Sequence, residues 1–377
     1  MPFKILSVVV ALTLAAGVVT AQTTLNPDIS AVGDFRLYSH DDSTRADESE
    51  KLNFADPEME LSVGGYLNPY ARADVVVAWH KGTNAEIEEV YATILRGLPL
   101  GANLRVGKYL LEFGRLNPVH PHAYSFIARP LVHESFFGDH GLSDMAVRAS
   151  FVVPTGNAFT EIMGAVLKGD ALKEHEHGDD EEAGETEHEH EDGRRDPGFF
   201  GRLATSLALS ENSELALGTS VLNEVYGFTE HDEVEEESAD PEQLRSWVFG
   251  GDIKFKSKPS RYRTLQVEAE FLTRVDERHE GDDLKSYGGY GYIDYRFMQK
   301  YNVGGIFERV SRKEAHEEET HHHKVTRTGL FAGFAPIEET SLVRLAGHYI
   351  DPDDGDGYWE VTLQLIVSLG PHKPHNF

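Results

Sequence analysis

The clearest pattern of hydrophobic and polar positions lies near the C-terminus, over residues 358–369. Every second residue from Trp359 to Leu369 is apolar, and the positions between them include Glu360 and Gln364. Because successive side chains of a β-strand point to opposite faces, this segment predicts a strand with one apolar face and one wet face.

The same alternation recurs along the chain from Asn26 onward, in segments of roughly ten residues, and helical periodicity is weak throughout. In residues 265–271, for example, apolar side chains alternate with Gln266, Glu268 and Glu270. The predicted strands are 27–39, 58–67, 70–80, 85–96, 102–112, 143–153, 158–168, 199–209, 213–223, 244–256, 262–273, 286–298, 301–311, 325–335, 340–350 and 357–369.

The connections between these strands alternate between two classes. One class is tight, as at residues 68–69 and 154–157, and the other is mostly long and charged, as at 113–142 and 169–198. Short turns at one end and long loops at the other are typical of outer-membrane barrels. The sequence therefore predicts an all-β fold, a transmembrane antiparallel up-and-down β-barrel of about 16 strands (about 14–18).

A soluble β-sandwich is the alternative fold, since its strands also alternate, with the apolar face turned inward. A sandwich, however, gives no physical reason for short and long connections to alternate along the whole chain. The pattern of connections therefore favours the barrel over the sandwich.

The N-terminal segment, residues 1–21, has the features of a signal peptide. Lys4 supplies a positive charge, and an apolar or small-residue run extends from Ile5 to Val18. This run is too short to span a bilayer comfortably, and small residues follow it at the expected cleavage positions. We predict export with removal of this segment, which leaves residues 22–377 as the barrel with its long extracellular loops.

The composition narrows the choice of partners. The chain has 64 acidic and 35 basic residues, a formal net charge of −29 and no cysteine. The acidic excess argues against nucleic acid as a partner, and the missing cysteine excludes a disulfide framework. Most of the acid lies in a few runs, which are typical of solvated loops.

One stretch carries a family resemblance. Residues 105–117 contain Gly107-Lys108-Tyr109 followed by Phe113-Gly114. This stretch resembles a segment of phosphate-selective porin-like barrels, in which a G-[KQ]-[FY] strand runs into F-G just before the pore-constricting loop. The region from Asn26 through this strand, with 129–131 after it, is similar to proteins often labelled zinc-regulated outer-membrane receptors. The resemblance implies a porin-like barrel and, more weakly, metal transport.

The receptor label raises the question of a plug domain. An energy-coupled receptor would need an N-terminal plug ahead of a barrel of about 22 strands. Only a short stretch separates Ala21 from the first predicted strand. We therefore expect a barrel without a plug.

The loop 113–142 is the predicted pore constriction, because a long loop with several aromatic residues is more often folded than extended into solvent. Folded inward, it would place basic groups in the pore and influence charge selectivity there. Packing on the rim or at a subunit interface is the alternative. The predicted constriction residues are Arg115, His120, His122, Arg129, His133 and His140.

The strand register also predicts which charged residues face the lumen, because such groups would be costly against lipid. Both signs occur, so the set does not form a pure anion ladder. A wet wall balanced by ion pairs and a substrate track both remain open. The predicted lumen residues are Arg72, Asp74, Glu89, Arg105, Arg148, Arg202, Glu268, Glu270, Arg344 and Glu360.

Two predicted loops, 169–198 and 312–324, combine histidine with acid. Imidazole and carboxylate ligands together suit Zn²⁺ and other borderline divalent metals. No fixed ligand spacing is present, so weak capture at the pore mouth and an incidental acidic surface are both open, and no cofactor is required. The candidate metal residues are His175, His177, His188, His190, His316, His321, His322 and His323.

These features predict a passive porin-like channel for small polar solutes or ions in the Gram-negative outer membrane. A metal-binding receptor or structural barrel without conductance is the alternative. An enzyme is not expected, since G-x-S-x-G and H-E-x-x-H motifs are missing from the sequence. Expected partners are outer-membrane lipid, lipopolysaccharide, the barrel-assembly machinery and small solutes or metal ions, and a homotrimer stays open.

Overall fold

The computed structural model describes residues 27–79, 85–172, 195–228, 243–279, 281–316, 319–337 and 340–370. The predicted signal peptide, residues 1–21, lies outside the described residues. So do four of the candidate metal residues, His175, His177, His188 and His190.

One antiparallel sheet of 17 strands dominates the described chain, and one of these, β2, has only two residues. The other strands number 16 (17 − 1), which confirms the predicted fold class. The strands are β1 Asp28–His40, β2 Asn53–Phe54, β3 Glu58–Asn68, β4 Ala71–Trp79, β5 Glu86–Ile94, β6 Asn103–Leu110, β7 Ser143–Thr155, β8 Ala158–Leu167, β9 Gly198–Ser210, β10 Ser213–Phe228, β11 Gln243–Ser260, β12 Arg263–Asp276, β13 Leu284–Phe297, β14 Tyr301–His316, β15 Glu319–Ile337, β16 Ser341–Pro352 and β17 Tyr358–Leu369.

The sheet closes on itself between its first and last strands. β1 pairs with β17 from Ala31 opposite Leu369 to His40 opposite Glu360, and β1 also pairs with β3 on its other side. Closure removes the long free edges that an open sheet would present. A β-sheet in lipid requires closure, because no water is there to form hydrogen bonds with unpaired backbone groups. The topology is an up-and-down barrel.

Burial along β17 shows which face is which. The side chain of Leu365 is 41% exposed, whereas that of its neighbour Gln364 is 1% exposed. The same contrast holds around the barrel, with apolar side chains outside and polar or charged side chains inside, as a membrane barrel requires. The predicted direction of the alternation is confirmed.

Among the connections that the structure describes, the one between β14 and β15 departs from the predicted alternation. These strands remain paired from Tyr301 opposite Phe334 out to His316 opposite Glu319. The prediction of a loop at 312–324 is therefore wrong, because most of this range is strand. Beyond the membrane both faces of a hairpin meet water, so the hydrophobic alternation disappears while backbone pairing continues. The sequence pattern therefore predicted β14 and β15 to be shorter than they are.

Helical structure is sparse, and no helix in the described ranges is long and apolar enough to cross a membrane. The one α-helix found in these ranges, α1 Leu131–Phe137, belongs to the long connection between β6 and β7. Short 3₁₀ turns lie at Ser43–Arg45, Pro99–Gly101 and Pro121–Ala123.

Candidate functional site

The connection between β6 and β7, residues 111–142, folds into the barrel; we call it the inward loop. Its aromatic residues Phe113 and Phe126 are buried in one cluster with inner-wall residues such as Leu272 and Tyr292. The rings of Phe126 and Tyr292 lie 5.0 Å apart at their centroids. Burial of these aromatic side chains against the wall holds the loop inside the barrel. The predicted inward folding of the loop is confirmed.

Glu270, on β12, anchors the start of the inward loop. Its carboxylate accepts hydrogen bonds from the backbone N–H groups of Arg115 and Leu116, the latter at 3.2 Å. It also lies 3.0 Å from Nε2 of His133, which is fully buried on α1. At Gly114 the backbone has φ +63, and a Cβ there would collide with this carboxylate, so glycine permits the close approach.

Arginines of the barrel wall bind the carbonyl groups of the same loop. Arg344 donates to the carbonyls of Phe126, at 3.4 Å, and Tyr124. Arg327 donates to the carbonyl of Arg129 at 2.7 Å. A buried irregular segment carries carbonyls that secondary structure does not satisfy, and these donors supply the missing hydrogen bonds.

At least two cavities lie between the inward loop and the wall. The larger is about 770 Å³ and the smaller about 460 Å³. Among the predicted residues, seven line the larger cavity: Glu89, Arg105, Arg115, His120, His122, Arg202 and Glu268. Four line the smaller one: His120, His122, Arg129 and His140.

The remaining predicted residues lie elsewhere. His133, Glu270 and Arg344 line neither of these two cavities, because they are engaged in anchoring the loop. Arg72 pairs with Asp74 at 3.0 Å. Glu360 lies 3.8 Å from Arg45.

Ion pairs balance most of the charge on the inner wall. Arg202 and Arg115 both reach Asp252, at 2.7 and 2.6 Å. The other pairs include Arg105–Glu112 at 2.9 Å, Arg148–Glu112 at 3.5 Å and Lys254–Glu268 at 3.5 Å. The wall is therefore polar and wettable while its two signs of charge largely offset each other.

A histidine–carboxylate cluster lies where the inward loop meets β3 and β5. His120 Nδ1 is 3.1 Å from Glu60 Oε2 and 3.4 Å from Glu88 Oε2, and its Nε2 is 3.8 Å from Glu89 Oε2. Burial alone would lower the pKa of His120, but these carboxylates outweigh burial and raise its pKa to about 10.

A second imidazole belongs to the same cluster. His122 Nδ1 lies 3.5 Å from Glu60 Oε2, and the His120 and His122 rings stack with centroids 5.8 Å apart. The 3₁₀ turn Pro121–Ala123 brings the two rings onto one side of the loop.

Glu134, on α1, lines the smaller cavity and has an unusual proton affinity. Burial, with smaller contributions from Glu308 and Asp139, raises its pKa to about 7 despite the attraction of Arg327 and Arg129. The charge of this cavity therefore changes near neutral pH.

The histidines of the β14–β15 hairpin have separate partners. His322 Nε2 lies 2.7 Å from Ser311 Oγ, and His323 Nδ1 lies 3.3 Å from Asp354. The rings of His321 and His323 stack at 6.4 Å on one face of the strand. Strand alternation separates His322 from the other two, so these residues do not converge on one closed metal site.

Two residues of the histidine–carboxylate cluster were missed from the sequence. Glu60 belongs to a segment that alternates clearly, so its inward orientation was open to prediction. Glu88 was hidden by a β-bulge: Val76 pairs with Glu89 and Val77 with Ile87, which leaves Glu88 as the extra residue. Both Glu88 and Glu89 therefore turn inward, against the simple alternation.

Solved structures share the barrel fold. An anion-selective porin from Comamonas acidovorans matches with a TM-score of 0.59 and 8% identity, over 91% of this chain and 99% of that one. The trimer form of OmpT, an outer-membrane protein of Vibrio cholerae, matches with a TM-score of 0.57 and 8% identity over the same shares. The chain has the fold of the outer-membrane porins.

One more solved structure and one relative in sequence are similar to this chain. The outer-membrane channel DcaP of Acinetobacter baumannii matches with a TM-score of 0.54 and 12% identity, over 92% of this chain and 99% of that one. In sequence, an uncharacterized protein of Aquifex aeolicus is 27% identical over 326 residues. That match covers 78% of this chain and 66% of the relative, so the chain spans just under two thirds of its length. No protein-family profile matches the chain.

Proposed function

We propose that this protein is a passive, water-filled channel of the Gram-negative outer membrane that admits small polar solutes or ions. The observation that carries the proposal is the inward loop, which leaves two charged cavities inside a closed barrel with an apolar exterior. A barrel that served only as a scaffold would have no need for a wall of hydrated, paired charges. The proposal includes no catalytic step.

The narrowest part of the path is proposed to lie at Glu60, His120 and His122. These three residues line both cavities, so they form the boundary between them. A solute that moves from one cavity to the other has to pass this boundary. The sequence predicted a constriction somewhere along residues 113–142, and we propose that it lies at His120 and His122, opposite Glu60.

The charge pattern suggests weak selectivity. Paired charges along the wall offset each other, and the net charge of −29 lies largely in acidic runs that we assign to outer loops. A negative mouth raises the local concentration of cations. We therefore propose a mild preference for cations, with no single solute recognised by a dedicated set of contacts.

Conductance of the purified full-length protein in a planar lipid bilayer tests the channel proposal. We expect stepwise, ohmic single-channel currents in simple salt. A barrel that inserts fully, as judged by its heat-dependent mobility in a denaturing gel, but carries no current would overturn the proposal and favour the non-conducting alternative.

The outer histidines are proposed to raise the local metal concentration at the pore mouth, since repeated histidine–acid pairs bind Zn²⁺ weakly even without fixed geometry. Deleting residues 174–191 and replacing His321, His322 and His323 by asparagine should remove weak zinc binding from the purified protein. If the number of weak sites is unchanged after both changes, capture by these histidines is excluded.

Location and assembly complete the proposal. The apolar exterior suits outer-membrane lipid and lipopolysaccharide, and insertion would require the barrel-assembly machinery. Trimerisation is a further proposal, supported by the trimer form among the fold relatives. Mass measurement in mild detergent tests it, since a monomer mass at all concentrations would exclude a stable trimer.

A further inference from the structure

We propose that Glu60, Glu88, His120 and His122 form a binding site for a divalent transition-metal ion, with Zn²⁺ as the best fit, inside the barrel. The ligand atoms of Glu60, Glu88 and His120 all lie within 4.8 Å of one another. The site is separate from the outer histidines, which lie on the hairpin or in the 169–198 connection. Only its effect on conductance rests on the proposed channel function.

Three distances between ligand atoms are close to those of a tetrahedral metal site. Bonds of about 2.0–2.1 Å from zinc to nitrogen or oxygen place neighbouring ligand atoms about 3.3 Å apart at the corners of a tetrahedron. The separations in this protein are 3.1 Å for His120 Nδ1–Glu60 Oε2, 3.4 Å for His120 Nδ1–Glu88 Oε2 and 3.5 Å for His122 Nδ1–Glu60 Oε2. Glu60, Glu88 and His120 are within reach of one ion, and rotation of His122 would supply the fourth ligand. Zinc would displace the proton that the carboxylates hold on His120, because a ligating imidazole is neutral.

The ligand types select the class of metal. Two imidazole nitrogens with two carboxylate oxygens suit Zn²⁺ and neighbouring borderline ions, whereas Mg²⁺ and Ca²⁺ prefer oxygen ligands throughout. Three carboxylates, those of Glu60, Glu88 and Glu89, lie within 4 Å of His120 nitrogens. A divalent cation would relieve the repulsion among these acids.

Three separate elements build the site, and a local irregularity completes it. Glu60 comes from β3, Glu88 from β5 and both histidines from the inward loop. The bulge in β5 turns Glu88 to the inner face beside Glu89, which lies 3.8 Å from His120 Nε2. Bulges often redirect a side chain at a functional site, and a carboxylate on the far nitrogen orients a ligating imidazole.

The location gives bound metal a consequence for transport. Glu60, His120 and His122 line both cavities, so an ion in either cavity can reach them. Once bound, the ion would join the inward loop to β3 and β5 and narrow the passage. We expect zinc to reduce the single-channel current reversibly, with recovery after chelation.

Calorimetric titration of Zn²⁺ into chelator-treated full-length protein tests the site directly. We expect one tight site per chain above a background of weaker binding, and visible absorption typical of tetrahedral Co²⁺ when cobalt replaces zinc. Glu88→Gln and His120→Asn should each weaken the tight site by more than about 100-fold, and Glu89→Gln by about 10–100-fold. Excess Mg²⁺ should leave it intact.

The matched control is His323→Asn, which removes a histidine–carboxylate pair of 3.3 Å on the hairpin and should leave the tight site unchanged. If His323→Asn abolishes tight binding while Glu88→Gln preserves it, the proposal is overturned. Absence of any tight site in the wild-type protein overturns it as well.

Current measurements separate this proposal from the channel function. A protein that binds one Zn²⁺ through Glu88 and His120 but carries no current contradicts the channel function and supports the metal site. A conducting protein whose tight zinc binding survives both substitutions contradicts the metal site and leaves the channel function intact. Glu88→Gln keeps the shape of the side chain, so loss of folding is not the expected explanation for lost binding.

Discussion

Replacing Glu270 by alanine should release the inward loop from the barrel wall. The carboxylate of Glu270 accepts hydrogen bonds from the backbone of Arg115 and Leu116 and faces His133 at 3.0 Å. Its side chain is 1% exposed, so water does not replace these bonds while the loop stays docked. The substitution therefore weakens the docking of the loop and leaves the backbone hydrogen bonds of β12 to its neighbouring strands in place.

The size of the effect follows from the three contacts. Each buried polar group left without a partner costs about 1–3 kcal/mol, and each hydrogen bond to a charged carboxylate contributes about 1.5–3 kcal/mol. We take about 3–5 kcal/mol for the whole set, since the loop can relax partly. At about 1.4 kcal/mol per factor of ten, the undocked loop gains roughly 100- to 5,000-fold in relative population.

Single-channel recording measures the outcome. We expect Glu270→Ala to give larger and noisier current steps than the wild-type protein, because the loop no longer fills the lumen. Glu360→Ala is the control, since this inward carboxylate reaches Arg45 at 3.8 Å and no contact with the inward loop is seen among the described residues. Unchanged steps in Glu270→Ala, or equal changes in both variants, would refute the anchoring role.

Three other predictions concern the outer face, the smaller cavity and the mouth. Leu363→Arg, near the middle of β17, should cost about 2–4 kcal/mol of unfolding free energy in vesicles, and Trp359→Arg at the strand end only about 0–1; equal losses would contradict the assigned lipid depth. The pKa of Glu134 is raised to about 7, so its folded form holds the proton more tightly. Its contribution to stability is therefore present at acidic pH and lost as pH rises through 7, where the cavity gains a negative charge. Cation preference, read from reversal potentials, should rise over that pH interval, and Glu134→Gln should abolish the rise; an identical pH profile in the variant argues against this assignment. At neutral pH a salt gradient should show mild cation preference, whereas strong anion preference would show that the inner arginines dominate the acidic mouth.

Much of the barrel was predictable because lipid imposes a simple rule on each strand. An inward charge and an outward leucine must alternate, so segments such as 358–369 show their faces without any tertiary information. The rule stops where the strand leaves the membrane. This is why the hairpin ends of β14 and β15, out to His316 and Glu319, were assigned to a loop.

The histidine–carboxylate cluster needed information that no local pattern contains. Glu60 and His120 meet only because the inward loop crosses the lumen and lies against β3. The bulge at Glu88 changes the face of one residue through a shift in pairing with β4, which depends on the partner strand. Sequence reasoning identified His120 and His122 as pore residues but assigned metal binding to other histidines.

The seam between β1 and β17 has a consequence for how the chain assembles. Its partners, such as Ala31 and Leu369, lie at opposite ends of the described chain, so the seam has the largest contact order of any strand pair in the barrel. Until the last strand is in place, β1 and β16 each present an unpaired edge that can recruit another chain. Closure is therefore a late, slow step, and a chain arrested before β17 would be an aggregation hazard rather than a smaller barrel.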